Sequence, residues 1–230
     1  MDEDTLIAEQ RAFYRRRAPE YDEWWQRRGR FDRGPEETAQ WQAEVSVLEA
    51  ALAEFAPAGD VLELAGGTGW WTERLARFAR SLTVVDSSPE TLELNRRRVG
   101  RPDVRYEVTD LFEWRAAADY DVVFFSFWLS HVPATWFGRF WDLVGSLLRP
   151  DGRVFLIDNR RDPTVVLQDP FVVDEGDGVQ RRRLADGSEH RVVKLFYEPA
   201  GLTGVLAEQG WRAVIGGTRF FIYGSARPAV

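Results

Sequence analysis

The apolar and polar positions divide the chain into a helical leader, a repeating strand–helix body and a hairpin-rich end. Residues 3 to about 17 read as a helix. A second starts near Pro35, a residue suited to a first helical turn, and carries the stripe Trp41, Val45, Leu48, Leu52 and Phe55. Between them lies an aromatic-rich connector, Ala18-Pro19-Glu20-Tyr21-Asp22-Glu23-Trp24-Trp25, and Pro57-Ala58-Gly59-Asp60 ends the leader. The apolar strand Val61 to Leu64 then leads to a helix with Trp71, Leu75 and Phe78 on one face. The strand Leu82 to Val85 leads through Ser88-Pro89, an N-cap and first-turn pair, to a helix ending near Gly100. Val104 to Val108 is a third strand, ending in Thr109-Asp110. Asp121 to Ser126 is a fourth, almost wholly apolar, as a strand buried on both faces should be. Pro133 opens a helix with Phe137, Phe140, Val144 and Leu147 inward, and Leu148-Arg149-Pro150-Asp151-Gly152 turns into a fifth strand, Arg153 to Ile157.

This repetition predicts an α/β fold, a parallel sheet with helices on both faces. The end of the chain differs. Gln180 to Tyr197, with Asp186-Gly187 at its middle, predicts a β-hairpin. Pro199 to Gln209 is a helix stopped by Gly210, and Trp211 to Ile215 and Arg219 to Tyr223 form a second hairpin around Gly216-Gly217. The expected organisation is a helical lid over residues 1–57 and one body over 58–230, with a hairpin insertion at about 165–197.

Composition narrows the function more than the fold. At 230 residues, 44% hydrophobic and 29% charged, the chain is an ordinary globular protein. A formal charge of −7 gives no general pull toward nucleic acid or an anionic membrane, so neither is an expected partner. Arginine clusters at residues 15–17, 96–98 and 181–183 are each flanked by acids and are expected to be solvated faces. Arginine supplies every positive side chain except Lys194, a bias attributed to genomic composition. The absence of cysteine excludes disulfides, thiolate metal sites and cysteine nucleophiles. Two histidines, His131 and His190, are too few for a histidine-rich cage, and no metal site is expected. The acidic start and the lack of an apolar run of about 18 residues point to a cytoplasmic protein.

The chemistry concentrates at strand ends. In an open parallel sheet, ligands bind outside the carboxyl ends of the strands. Gly66, Gly67 and Gly69 follow the first strand, where glycine lets the backbone turn sharply and approach a ligand. Asp86 ends the second strand and can accept from both hydroxyls of an adenosine ribose. Asp110 ends the third, where it can accept from an adenine amino group while Leu111 and Phe112 cover the ring. A dinucleotide fingerprint needs a third glycine so that a helix N-terminus meets a pyrophosphate. Trp70-Trp71-Thr72 stands there instead, and no P-loop lysine is present, so a ligand without phosphates fits better.

Glu63-Leu64-Ala65-Gly66-Gly67-Thr68-Gly69 resembles motif I of the class I S-adenosylmethionine-dependent methyltransferases, with Ala65 where glycine is frequent. Asp86 matches that family's ribose acid and Asp110 its adenine-contacting acid. Tyr120 to Phe125 resembles the motif leading to the methyl-transfer site, and Leu147 to Gly152 the turn before strand five. The resemblance spans about residues 58–158. It implies a Rossmann-like seven-stranded, mostly parallel sheet with a C-terminal antiparallel hairpin and an N-terminal helical lid. It implies S-adenosylmethionine as cofactor and S-adenosylhomocysteine as product, with Glu63 stabilising the glycine loop and approaching the methionine amino group. Ala65, Gly66, Gly67, Gly69, Trp71, Ser87, Ser126 and Phe127 are expected to complete the cofactor site, and Tyr14 or Tyr21 in the leader to touch the methionine part.

Methyl transfer from a sulfonium is an in-line displacement, so holding nucleophile and methyl carbon about 3–3.5 Å apart does much of the work. His131, in Ser126-Phe127-Trp128-Leu129-Ser130-His131, is the expected base, with Tyr21 a second catalytic candidate; a capping or core role is the alternative for His131. His190 is expected to be structural. Tyr14, Trp24, Trp25, Phe127 and Trp128 are the expected acceptor contacts, since aromatic faces attract a sulfonium and stack on planar substrates. The expected reaction is methylation of oxygen, nitrogen or carbon on a small, mostly planar, apolar molecule. A macromolecular methyltransferase and a non-catalytic S-adenosylmethionine-binding module are the alternatives. Against the first, neither an Asp/Asn-Pro-Pro-Tyr signature nor a pair of glutamates follows strand four. A nicotinamide-dependent dehydrogenase is disfavoured by the glycine spacing. Monomer and homodimer are both left open.

Overall fold

The computed structural model describes residues 3–116, 119–161 and 171–229. Three leader helices come first, α1 (Glu3–Arg17), α2 (Tyr21–Trp25) and α3 (Pro35–Phe55). The body continues β1 (Gly59–Leu64), α4 (Thr72–Leu75), β2 (Ala79–Asp86), α5 (Pro89–Val99), β3 (Val104–Val108), β4 (Tyr120–Ser126), α6 (Phe137–Ser146) and β5 (Leu148–Asn159). Then follow β6 (Val172–Gly176), β7 (Val179–Arg183), β8 (Glu189–Val193), α7 (Pro199–Glu208), β9 (Trp211–Gly217) and β10 (Phe221–Pro228).

Strand alternation builds two cores. Val122 and Phe124 of β4 join a cluster with Trp41, Leu48 and Leu52 of α3 and Leu75 of α4. Val123 and Phe125 face the other way, toward Phe140, Trp141 and Val144 of α6 and Leu202 and Leu206 of α7. The sheet is therefore covered on both faces, and its order is β3-β2-β1-β4-β5-β10-β9. The first five strands pair in parallel, and β10 inserts antiparallel between β5 and β9. The switch in strand direction of travel falls between β1 and β4, so the carboxyl ends of β1, β2 and β4 open onto one crevice.

Ser88 caps α5, its hydroxyl accepting from the Thr91 amide at 3.1 Å, and Gly100 closes it at φ 62°. Elsewhere the structure redraws the expected elements. α4 is a single turn, which leaves Phe78 37% exposed and outside the core stripe. Pro133 precedes a 3-10 turn, Ala134–Trp136, and α6 starts only at Phe137. Gly216 and Gly217 lie inside β9, and the hairpin turns at Thr218, whose amide donates to Phe221 O at 2.8 Å. The insertion is a three-stranded antiparallel sheet, β6-β7-β8, rather than a lone hairpin; the part of it expected at 165–170 lies outside the described residues.

The leader is not one unit. α3 packs on the main sheet, whereas α1 lies on β8, where Glu9 accepts from the Arg191 amide (2.7 Å) and Gln10 from the Val193 amide (2.9 Å). Ion pairs tie α1 and α2 to the body, Arg11 to Asp110, Arg15 to Glu90 and Asp22 to Arg98. Among the described residues no helix is long and apolar enough to cross a membrane.

Candidate active site: two chambers with a common wall

The glycine turn after β1 is held from beneath by a buried polar network. Asn95 of α5, fully buried, donates to Gly66 O (3.1 Å), Gly67 O (3.2 Å) and Thr72 Oγ1 (2.7 Å), while Tyr106 donates to its Oδ1 at 3.2 Å. Thr72 Oγ1 in turn donates to Glu63 Oε2 at 2.5 Å. Burial, partly opposed by Thr72, pushes the Glu63 carboxyl up to about 8. Glu63 thus braces the loop from below and does not line the cavity above it. Gly69 needs its φ of 90°, and a Cβ there would sit 2.7 Å from the Asn95 side chain. Ala65, where the resembling family favours glycine, adopts φ 53°, a left-handed conformation that costs a non-glycine residue about 1–2 kcal/mol.

Above the loop lies the first chamber, at the carboxyl ends of β1, β2 and β4. Ala65 and Gly67, Asp86 and Ser87, Asp110 to Phe112, and Ser126 to Trp128 form its floor, and Ile7, Arg11, Tyr14 and Tyr21 roof it. Asp86 Oδ2 accepts from the Gly67 amide (3.0 Å) and Oδ1 from the Ser88 amide (2.9 Å). Burial raises the Asp86 carboxyl above its ordinary value against the pull of these amides. Asp110 Oδ1 accepts from the Phe112 amide at 2.8 Å. The chamber thus presents two carboxylates and the apolar side chains of Leu111 and Phe112, an arrangement that suits an adenosine, and Arg11, the cation among its described lining residues, is paired with Asp110.

A second chamber adjoins it, and its chemistry is different. It is lined by Arg17, Arg27, Arg30, Arg33, Arg160, Arg182, Arg183 and Lys194, with the rings of Phe13, Trp24, Trp41 and Phe220 between them. Among the described residues lining it there is no aspartate or glutamate. Arg17 is only 7% exposed, its Nε without a hydrogen-bond partner, and its guanidinium lies 5.4 Å from the Tyr21 ring centre. Residues 15–17 and 181–183 are therefore not simply solvated faces. Arg15 and Arg181 pair with exposed glutamates, but Arg17, Arg182 and Arg183 turn inward.

Tyr14, Tyr21, Phe127 and His131 line both chambers and form the wall between them. Phe127 reaches this place with φ 53°, its amide donating to Ile157 O at 2.8 Å. His131 is buried, and its Nδ1 lies 2.6 Å from Val193 O, which makes that nitrogen the donor. Nε2 is then the acceptor for the Tyr14 hydroxyl at 2.7 Å. Burial, with Lys194, Arg182 and Arg17 nearby, holds the His131 pKa well below the usual histidine value, so the ring is neutral. Burial keeps Tyr14 and Tyr21 above the ordinary tyrosine range.

Trp24 and Trp128 each line one chamber. Trp25 and Trp71 line neither; both are buried in the core under α3, with ring centres 5.9 Å apart. Gly66 and Gly69 shape the loop from within rather than face the cavity. His190 lies against Phe13, 5.8 Å between ring centres. Asn95, Arg11, Arg17, Arg182 and Lys194 were not legible as site residues; the solitary lysine among 30 basic residues was the available signal.

A donor chamber at a switch point, suited to an adenosine and adjoining a second chamber, is the arrangement of a group-transfer enzyme of the S-adenosylmethionine type. Comparison with known proteins agrees. Residues 61–152 match the family model described as "Methyltransferase domain". The ubiquinone biosynthesis O-methyltransferase of Xanthomonas axonopodis pv. citri (strain 306) is 31% identical over 169 residues, 71% of this chain and 67% of that one. Among solved structures, the DhpI-SAM-HEP complex superposes with a TM-score of 0.77 at 36% identity, covering 97% of this chain and 98% of that one. The 1,6-didemethyltoxoflavin-N1-methyltransferase of Burkholderia thailandensis shares the fold at a TM-score of 0.66 and 19% identity, over 100% of this chain and 92% of that one. The chain belongs to the S-adenosylmethionine-dependent methyltransferases, and S-adenosylmethionine is its methyl donor.

Proposed function

We propose that the protein transfers the methyl group of S-adenosylmethionine to an oxygen of a small molecule bearing an anionic group, held in the arginine-lined chamber. The observation that carries this reading is the lining itself, in which eight cations stand with no acidic side chain among the described lining residues, while Glu20, Glu198 and Asp158 reach Arg30, Arg160 and Lys194 from outside that lining. Charges of one sign around a low-dielectric cavity concentrate the opposite charge there. Guanidinium forks suit carboxylates and phosphorus oxyanions, whose oxygens they can meet in pairs. On this reading the mostly planar, apolar acceptor expected from the sequence also carries an anionic group, and Trp24, Trp41 and Phe220 shape the chamber around the rest of the molecule.

Transfer takes place at the common wall, where Tyr14, Tyr21, Phe127 and His131 meet. Both nitrogens of His131 are engaged, so it serves as a positioning residue that holds the Tyr14 hydroxyl, not as a base reaching the acceptor. An anionic oxygen needs no base, which fits this arrangement. The Xanthomonas relative is named as an O-methyltransferase acting in ubiquinone biosynthesis, and DhpI forms a complex with SAM and HEP together. A panel of carboxylates, phosphate esters and phosphonates, run beside neutral phenols and heterocycles with methyl-labelled donor and read by mass, tests the assignment. Label is expected in anionic acceptors, and transfer confined to neutral planar ones would overturn it.

A further inference from the structure

Lys194 is the single lysine of a chain with 30 basic residues, and it stands in the acceptor chamber. It is 8% exposed, immediately after β8. Its Nζ donates to Ser130 Oγ at 2.7 Å and lies 3.7 Å from Asp158 Oδ1, an ion-pair distance too long for a hydrogen bond. An ammonium has three N–H groups, so a bound oxyanion can still be met. The carbonyl of the neighbouring residue, Val193, accepts a hydrogen bond from His131 Nδ1, and Ser130 adjoins His131 in sequence. Lys194 is thus stitched to the wall where transfer takes place.

Every other cation of the chamber is a guanidinium, charged at all accessible pH. We propose that Lys194 is a ligand for the acceptor's anionic group and that its ammonium, alone among the chamber's cations, makes acceptor binding proton-dependent. The proposal rests on the anionic-acceptor reading above. Burial pushes Lys194 down to about 8, with Arg182 and Arg17 acting in the same direction and Asp158 against it. Asp158 faces it as a counter-charge at 3.7 Å, and the other titratable groups among the described residues of the chamber are arginines, Tyr14, Tyr21 and His131. His131, after β4, is already neutral, Tyr14 on α1 is held above the ordinary tyrosine range, and Arg17 and Arg182 keep their charge. Ser130, which accepts from it, and Phe196, whose ring centre lies 5.2 Å from its Nζ, carry no ionisable group. Because the anion favours the ammonium, its affinity is level below the pKa of the free chamber and falls up to tenfold per pH unit above it.

Sulfate is the probe, since it stays a dianion throughout and cannot itself supply the pH dependence. Calorimetric titration of the S-adenosylhomocysteine-loaded enzyme from about pH 6.5 to 9.5 should show a sulfate Kd that is level to about pH 8 and then rises, with proton uptake on binding. Lys194→Arg should abolish the slope, and Lys194→Met should both abolish it and weaken sulfate at least tenfold, with S-adenosylhomocysteine affinity as the check on folding. A wild-type Kd level through pH 9.5, or an unchanged slope in Lys194→Met, overturns the role of Lys194 while leaving the anionic acceptor standing. Should neither variant fold, the wild-type profile and its proton uptake decide alone. Absence of any sulfate binding by the wild type overturns the anionic-acceptor reading itself, and this proposal with it.

Discussion

Asp86→Ala separates two duties of one carboxylate. Before any ligand arrives, its two oxygens accept from the Gly67 and Ser88 amides at 3.0 and 2.9 Å, tying the glycine turn to the start of α5. Each such charge-assisted bond contributes about 1.5–3 kcal/mol. The raised pKa shows that these amides do not fully offset the desolvation of the carboxylate, so the net loss of stability should be near the lower end, about 1–3 kcal/mol. For a chain of this length that is a fall in Tm of roughly 2–12 °C. The second duty is to the ribose hydroxyls, and losing that contact should weaken S-adenosylhomocysteine by about 1.5–3 kcal/mol, on the order of 10- to 150-fold. Thermal unfolding without ligand reads the first duty and titration calorimetry reads the second. Asp86→Asn, which sets an amide group against one of the two backbone donors, should fall between wild type and alanine in both. A lowered Tm with a Kd within about twofold of wild type would reduce Asp86 to a brace for the loop and refute the ribose assignment.

Gly69→Ala forces a side chain to φ 90° and to within 2.9 Å of Asn95 Cα, so it should cost well over the about 1–3 kcal/mol of backbone strain alone and abolish donor binding; a Tm near wild type would refute the packing described. Gly67→Ala, whose added carbon meets nothing nearer than 3.9 Å, should lower donor affinity in calorimetry with a far smaller drop in Tm. Glu63, raised from 4.5 to about 8, keeps in the folded state a proton that the unfolded chain releases, so its stabilisation is complete below about pH 4.5 and is lost as pH rises to about 8. The Tm of Glu63→Gln relative to wild type should therefore climb between about pH 5 and 8, and a constant offset would place the carboxylate outside this range. Tyr14→Phe removes the partner of His131 Nε2, and should lower kcat/KM for an anionic acceptor by about 10- to 100-fold. The wild-type kcat should show no ionisation near pH 6.5, because His131 is already neutral there; one found there would restore it as a titrating base.

The donor half of the site was legible because local patterns build it. A glycine turn, Asp86 and Asp110 at successive strand ends, and aromatic residues after β3 and β4 are short-range features, and the parallel sheet brings them to one crevice. The acceptor half comes from elements far apart in the chain. Arg17 on α1, Arg182 on β7 and Lys194 after β8 meet only because α1 packs on β8. In sequence, two of these three sit inside arginine runs that pattern alone assigns to solvent. Trp71 failed for the opposite reason: adjacency to the glycine loop placed it near the cofactor, but its side chain turns down to Phe124 and Trp25 beneath the sheet. Tyr14, Tyr21, Phe127 and His131 do come together, although their spacing carried no sign that they divide two chambers.

α1 has one further consequence. Ile7, Arg11 and Tyr14 recur at helical spacing and border the donor chamber, while the adjoining stripe, Phe13, Tyr14 and Arg17, borders the arginine-lined chamber. Should two ligands that border one helix affect each other's binding, that linkage is reciprocal. Whatever factor the nucleoside adds to the affinity of the anion, the anion must return to the nucleoside. Tyr14, where the two stripes cross, is the residue through which that exchange can be altered without removing either pocket.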